Sequence, residues 1–484
     1  MKVDAARERA GERLLDVGLQ ELLRGRAPEH DADLRAAVLA KRAADEDLGA
    51  PGARRRWLTA ALVLLGSCVA IGVSWLQLRD RRAAVQEPGF DVLAPWGEPG
   101  PSWTIVHGVQ SLGGVGRVSA LGISCGDAQM IAALQGRDDI EALMLMGNGS
   151  KGRVDEETMC DAMCMAASLP QLRRLSLALG PGDKITARAL RELRAAPQLV
   201  HLDIDAGPTL DEGVAKAICE LPKLRSLRLW STRVEVAGVR ALAGTPSLLA
   251  LALHGTDLAC TDGELFDAVR ELRTLRVLSI APRGGKVFAA RHVGALLGLP
   301  KLVVLDLGAF ELEERTLLQL PTRLEGLAIR VARSRGATSS SLRALGRLSG
   351  LRWLSLVLEQ DPELTAASAA FVARLPRLER LSCVAGGDEY QWSVVTAASR
   401  VRSLFVECSG DVQAMVGACS RLRELESLSF HSPRDLHWDE LQALQGLSLP
   451  RLRKVVCTSG VRLSAEQRQR LADSLGPAVE VRLP

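Results

Sequence analysis

Four groups of residues have types and spacings that could do chemistry. The string GISCG at 122–126 sets Ser124 between glycines, the spacing of a nucleophile elbow. There a serine on a sharp strand-to-helix turn attacks an acyl carbon, so Ser124 is a candidate for a hydrolase nucleophile. His201, Asp203 and His254 are of the types that ligate zinc or move a proton. Arg174, Asp205, Arg228 and Trp230 stand close to them in a recurring pattern, and Trp and Arg are the favoured anchors of a bound protein. Cys160 and Cys164 lie four apart, close enough to share one helix face as a structural thiol pair. Two further strings carry little. GNGSKG at 147–152 lacks the spacing of a phosphate-binding loop, and Asn148-Gly149-Ser150 is a common glycosylation triplet.

The elements that must position these residues recur. LPKLRSLRLW at 221–230 has counterparts LPQLRRLSLA at 169–178, APQLVHLDID at 196–205, LPKLVVLDLG at 299–308 and LPRLERLSCV at 375–384. The skeleton is L-x-x-L-x-L, whose last two apolar residues alternate with polar ones as in a strand with one buried face. The lead residue falls at Val118, Ile140, Leu172, Leu199, Leu224, Leu248, Leu275, Leu302, Leu324, Leu351, Leu378, Val401, Leu425 and Leu452. That makes fourteen copies at steps of 22 to 32 residues. Between strands the period changes to that of a helix, as in LDEGVAKAICELP at 210–222, where Leu210, Val214, Ile218 and Leu221 share a face. Pro222 stops this helix, because it cannot continue the hydrogen-bond ladder, and Pro170, Pro197, Pro246, Pro300, Pro376 and Pro450 punctuate equivalent places. RVARSRGATSSS at 330–341 reads as a basic, Ser-rich loop bulging from the array, SAEQ at 464–467 as a capping box opening a last helix, and AVEVRL at 478–483 as a closing strand.

This pattern resembles the leucine-rich repeat proteins of the long-repeat, ribonuclease-inhibitor-like kind, over roughly residues 113–484. The resemblance implies an α/β fold, a right-handed βα solenoid with a parallel inner sheet and outer helices. Strands need about 4.8 Å each and helices about 10 Å, so the array curves with its strands inside. The inner sheet is then roughly 65 Å long. The resemblance further implies recognition of a protein, or of an envelope polymer, through the concave sheet face. Short-repeat members carry Asn eight residues past the lead position. Here that place holds Asn148 once and Gly180, Gly207, Thr232, Thr256 and Gly386 elsewhere, so the Asn ladder is mostly missing.

Concave positions are two, four and six past each lead residue. They collect Arg174, His201, Asp203, Asp205, Arg228, Trp230 and His254 into the densest polar and aromatic patch, with Trp230 expected to stand exposed. A sparser patch is Trp353, Phe405, Glu407 and His431. Elsewhere Ser176, Ser279, Ser355, Ser382 and Ser429 predict a smooth face of small hydroxyls. On this register His201 and His254 lie two strands apart, about 10 Å, too wide to share a metal ion. Ser124 takes an ordinary concave slot, and no hydrolase sheet supplies its acid and histidine, so no enzyme activity is expected. Nothing in the chain calls for a cofactor.

The first 112 residues are different. Residues 1–56 read as a short helical stub, with Leu15, Leu19, Leu22 and Leu23 on one face and Leu34 and Val38 on another. Residues 57–78, WLTAALVLLGSCVAIGVSWLQL, hold no charge and are long enough to cross about 30 Å of hydrocarbon as a transmembrane helix. Trp57 and Trp75 suit the headgroup layers. Gly66 and Ala70 form a small-residue pair that would seat a second copy in a weak homodimer. Lys41, Arg42 and Arg54–Arg56 outnumber Arg79, Arg81 and Arg82, which puts the N-terminus in the cytoplasm and the repeats on the far side. Residues 79–112 form a Pro/Gly-rich linker and cap. The stub is similar in style to the leaders of bacterial single-pass envelope regulators, and the alternative function is a regulator whose stub holds a cytoplasmic signalling or transcription factor. The net charge of +4, from 61 basic and 57 acidic residues, gives no footprint for nucleic acid. Cys383 and Cys457 fill apolar strand slots, as buried thiols do.

Overall fold

An alternating strand buries every second side chain, and the repeat around Leu224 does so. Leu224, Leu227 and Leu229 are 0%, 0% and 1% exposed, while Arg228 and Trp230 keep part of their surface. One repeat cannot hide that face alone, so neighbours must stack. The computed structural model describes residues 104–105 and 119–483, apart from the stretches 126–127, 148–153, 181–182, 184, 206–208, 260, 284–287, 308–310, 312, 332–335, 359–360, 386–388, 409–410, 459 and 462. The stub at 1–56, the apolar run at 57–78 and the linker except Thr104 and Ile105 lie outside the described residues. Among the described residues no helix is long and apolar enough to cross a membrane.

The described strands are β1 (Thr104–Ile105), β2 (Ala120–Ser124), β3 (Ala142–Met146), β4 (Arg174–Ala178), β5 (His201–Asp205), β6 (Thr209–Leu210), β7 (Ser226–Trp230), β8 (Arg233–Val234) and β9 (Ala250–Leu258). They continue as β10 (Val277–Pro282), β11 (Val304–Asp306), β12 (Gly326–Val331), β13 (Trp353–Leu358), β14 (Arg380–Ala385), β15 (Ser403–Glu407), β16 (Ser427–His431), β17 (Lys454–Cys457) and β18 (Glu480–Arg482). Pairing is parallel throughout, and each repeat strand lies beside that of the next repeat. The short β6 and β8 run beside the end of β9 as a second ribbon. Register follows the repeat, so Arg174, His201, Ser226, Ala250 and Val277 stand in one row across the sheet. The carbonyl one residue past each lead position binds two N–H groups of the next repeat. Glu141 O accepts from Arg173 N at 2.8 Å and Arg174 N at 3.0 Å, and Arg173 O accepts from Val200 N and His201 N at 2.8 and 2.9 Å.

Helices return the chain between strands. Thr186, Asp211 and Asp411 cap three of them through side-chain oxygens that accept backbone N–H groups. The helix Glu212–Cys219 buries Val214, Ala215, Ala217 and Ile218 against the strand layer. The core is this continuous sandwich of strand and helix leucines. Ser464 and Gln467 form the capping box that SAEQ at 464–467 announces, and β18 adds the closing strand expected from AVEVRL. Cys383 and Cys457 are buried, and the eight described cysteines are all free thiols.

Two expectations need correction. RVARSRGATSSS at 330–341 reads as a basic loop bulging from the array. Its two ends belong to the array: Arg330 and Val331 finish β12, paired with Val357 and Leu358, and Ser339 opens the helix Ser339–Leu345 behind a capping box of Thr338 and Ser341, while 332–335 lie outside the described residues. A strand end and a helix cap share the polar composition of a loop, and composition alone hid them. The smooth hydroxyl face is also wrong in part, because Ser279, Ser382 and Ser429 are buried. Larger side chains stand beside them in adjacent strands, Asp306 next to Ser279 and Phe405 next to both Ser382 and Ser429.

Candidate functional site

The solenoid brings the seven candidate residues of the denser patch onto β4, β5, β7 and β9, four adjacent strands about 14 Å across. Three rows result. Arg174 faces His201, which faces Ser226; Asp203 faces Arg228; Asp205 faces Trp230, which faces His254. All seven are half-buried rather than exposed. Trp230 in particular is not a free-standing ring. His254 meets it edge to face, with ring centroids 4.5 Å apart and planes at 88°. Such a pair adds about 0.5–1.5 kcal/mol beyond its buried area and holds the indole in place. Ser231, next along the chain, has a positive φ of 51°, and its N–H donates to His254 O at 2.9 Å. The equivalent place in the next repeat is Gly255 with φ 57°, where the left-handed turn is free of strain.

The electrostatics of the patch centre on His201. Burial pushes its imidazole down to about 3, and Arg174, Arg228, Arg173 and Arg225 push the same way. His201 is therefore neutral at ordinary pH, and a cation there would face four guanidinium groups. Arg228 Nη1 lies 3.7 Å from Asp203 Oδ2, an ion pair with part of each side chain in water. Among the described residues no group of three or more His, Cys, Asp or Glu could hold a metal ion.

The structure adds two partners to the patch, Ser279, read from sequence only as part of a smooth hydroxyl face, and Asp306. His254 Nε2 reaches Ser279 Oγ, and Ser279 Oγ donates to Asp306 Oδ2 at 2.8 Å. A nucleophilic relay needs the imidazole between carboxylate and hydroxyl. Here the hydroxyl is in the middle, its proton is committed to Asp306, and Ser279 is 1% exposed. The string of three fixes His254 and does not activate a nucleophile. Ser279 and Asp306 both sit four past their lead residues, and that row, read across repeats, holds Asp306 beside the already named Ser279. Beside them Ala250, Ala252 and Val277 form a small apolar cluster on the same face, with Val304 packed against it.

Ser124 ends β2 opposite Met146. His201 is three strands away, about 14 Å by strand spacing, against the roughly 3 Å that proton transfer needs. The sparser patch divides. Glu407 faces His431, and Phe405 faces Ser429, so these stand together. His431 Nδ1 also meets Thr458 Oγ1 at 3.2 Å. Trp353 lies two strands off and lies against Gly326, where an added Cβ would come within 2.8 Å of Trp353 Cε3. Cys160 and Cys164 share the helix Glu156–Ser168 but not an environment. Cys160 is buried, while exposed Cys164 donates to Glu192 Oε2 at 3.2 Å. Partial desolvation of the sulfur and the hydrogen bond to the Glu192 carboxylate push the Cys164 thiol up to about 11, which keeps it protonated.

Comparison with known proteins comes down to the course of the chain. No protein-family model matches it, and no curated protein does. Among solved structures it is similar to an internalin from Listeria monocytogenes, at 16% identity over 73% of this chain and 88% of that one, with a TM-score of 0.34. A leucine-rich repeat protein of Leptospira interrogans is similar at 14% identity over 76% and 96% of the two chains, with a TM-score of 0.30. A yeast structure of Rad7 in complex with Elc1 is similar at 15% identity over 74% and 83%, with a TM-score of 0.45. The strands, register and core described above make this chain, on their own, a leucine-rich-repeat-like α/β solenoid with one long parallel sheet.

Proposed function

We propose that this chain is a recognition scaffold that holds a protein partner on the sheet face of β4, β5, β7 and β9. The observation that carries the reading is the convergence of Arg174, His201, Asp203, Asp205, Arg228, Trp230 and His254 from four repeats onto one patch. The Trp230 ring is held by His254 and the Arg228 head by Asp203, so both anchors are positioned before a partner arrives. Positioned anchors lose less freedom on binding than mobile ones. We further propose that residues 57–78 tether the scaffold to a bilayer, with residues 1–56 in the cytoplasm and the repeats beyond the membrane. The uncharged length of 57–78 and the arginine bias support this.

The test is affinity capture by the full-length chain in detergent, with the wild-type protein and Trp230→Ala side by side. The variant is expected to retain at most a tenth of a partner enriched by the wild type while staying folded, its stability lowered by about 1 kcal/mol with the ring pair and by about 1–2 kcal/mol more with the indole's buried area. A partner retained equally by both proteins would remove the patch from consideration.

A further inference from the structure

One row of side chains lies outside the concave rows, one residue past each lead position, along the edge of the sheet where the strands begin. Its order is Glu141, Arg173, Val200, Arg225, Leu249, Arg276, Val303, Glu325, Arg352, Glu379, Arg402, Glu426 and Arg453. Backbone bonds join each to the next, from Arg173 N to Glu141 O through to Arg453 N to Glu426 O, so these are true neighbours. The row has two characters. From Glu325 onward, acid and base alternate, and ion pairs form within the row: Arg352 with Glu379 at 2.9 Å and Arg402 with Glu426 at 4.0 Å. From Arg173 to Val303 each arginine is followed by an aliphatic residue instead, with Glu141 standing ahead of Arg173. Arg173, Arg225 and Arg276 are exposed, and Val200, Leu249 and Val303 between and after them are half-buried.

The spacing of this half selects a shape. Neighbouring strands are about 4.8 Å apart, so successive arginines stand about 9.6 Å apart with an apolar contact midway. A polyproline II segment turns once in three residues, about 9.3 Å, and three arginines span two intervals, so its total mismatch is about 0.6 Å. An α-helix with acids seven residues apart offers them at about 10.5 Å, for a total mismatch of about 1.8 Å. The positive field also reaches onto the concave face, since Arg173 and Arg225 act on His201 together with Arg174 and Arg228.

Building on the recognition-scaffold reading, we infer that the edge Arg173–Val200–Arg225–Leu249–Arg276 docks an extended, polyproline-like segment of the partner that carries a carboxylate at every third residue. The carboxylates meet the guanidinium groups, which suit planar two-oxygen acceptors. The residues between them rest on Val200 and Leu249.

The test is fluorescence anisotropy with the full-length chain in detergent. The probe is a labelled peptide of three Glu-Pro-Pro triplets, and the comparison peptide has the same composition with its glutamates adjacent. The spaced probe is expected to bind at least tenfold more tightly. Arg225→Glu with Arg276→Glu should lower its affinity at least tenfold, whereas Arg352→Glu with Arg402→Glu should change it less than twofold. Raising salt from low to molar concentration should also weaken it, because the contacts are exposed. Thermal unfolding of both double variants checks that these surface changes leave the fold intact. The inference is overturned by equal binding of the two peptides, by equal effects of the two double variants, or by no binding at all. Tighter binding of a helical peptide with glutamates seven apart, or of an oligothymidylate, overturns it as well. Failure here leaves the Trp230 test standing, since that test reads the concave patch and not the edge.

Discussion

His201 shows how far a side chain's character depends on what surrounds it. As a residue type it suggests a ligand or a proton carrier. In place it is an uncharged spacer, because burial and four arginines oppose its protonation. The sign of the resulting pH dependence follows. The unfolded chain takes up this proton near 6.5, whereas the folded chain holds none until about 3. Between those values the unfolded state binds more protons, so stability falls as pH drops through that window. At pH 5 the loss from this group is about 2 kcal/mol. Denaturant unfolding at pH 7 and pH 5 measures it, and His201→Gln should lose that much less over the same interval. Equal losses in the two proteins would mean that His201 does not drive the effect. The candidate residues themselves were legible, because alternation along a strand says which side chains leave the core. The linked trio of His254, Ser279 and Asp306 was not, because its members come from three repeats and only the register joins them.

The repeat is the cooperative element. Its strand residues Leu227 and Leu229 and its helix residues Val214 and Ile218 are all buried in one core, and each repeat leans on the next. Leu227→Ala should therefore cost about 2–5 kcal/mol, the price of the lost methyl groups and the cavity they leave. In a stacked array such damage is local. Hydrogen exchange should accelerate first in β5, β7 and β9 and least in β16 and β17. Uniform acceleration along the chain would instead mean that the array unfolds as one unit. Strand and helix positions were readable from periodicity to within a few residues: the helix expected over 210–222 runs Glu212–Cys219, and Leu210, read as part of its face, closes β6 instead. The helix start within 330–341 was not, because Thr338 and the serines that cap it have the composition of a loop.

At the scale of the whole molecule, the proposed tether and the proposed edge site make linked demands. If the repeats face away from the cytoplasm, their partner must be found there too. Protease added to intact cells should then remove epitopes within 113–484 and spare those within 1–56. The reverse pattern would invert the orientation, and a full-length chain recovered in water without detergent would end the tether. The edge row adds a polarity along the array. Its later half pairs its charges internally, while its earlier half sets arginines between aliphatic residues.

The amino-acid order alone determined the repeat, the strand and helix within it, the buried face of each, and the closing cap and strand at 464–483. These follow from local periodicity, which every repeat solves in the same way by burying its leucines. Tertiary structure decided which side chains are neighbours across the sheet. Those neighbours stand 22 to 32 residues apart at uneven steps, and only stacked strands bring them to about 4.8 Å. The burial of Ser279, the ring pair of Trp230 and His254, the arginines around His201 and the separation of Trp353 from Phe405 all arise there, because each depends on what the next repeat places alongside.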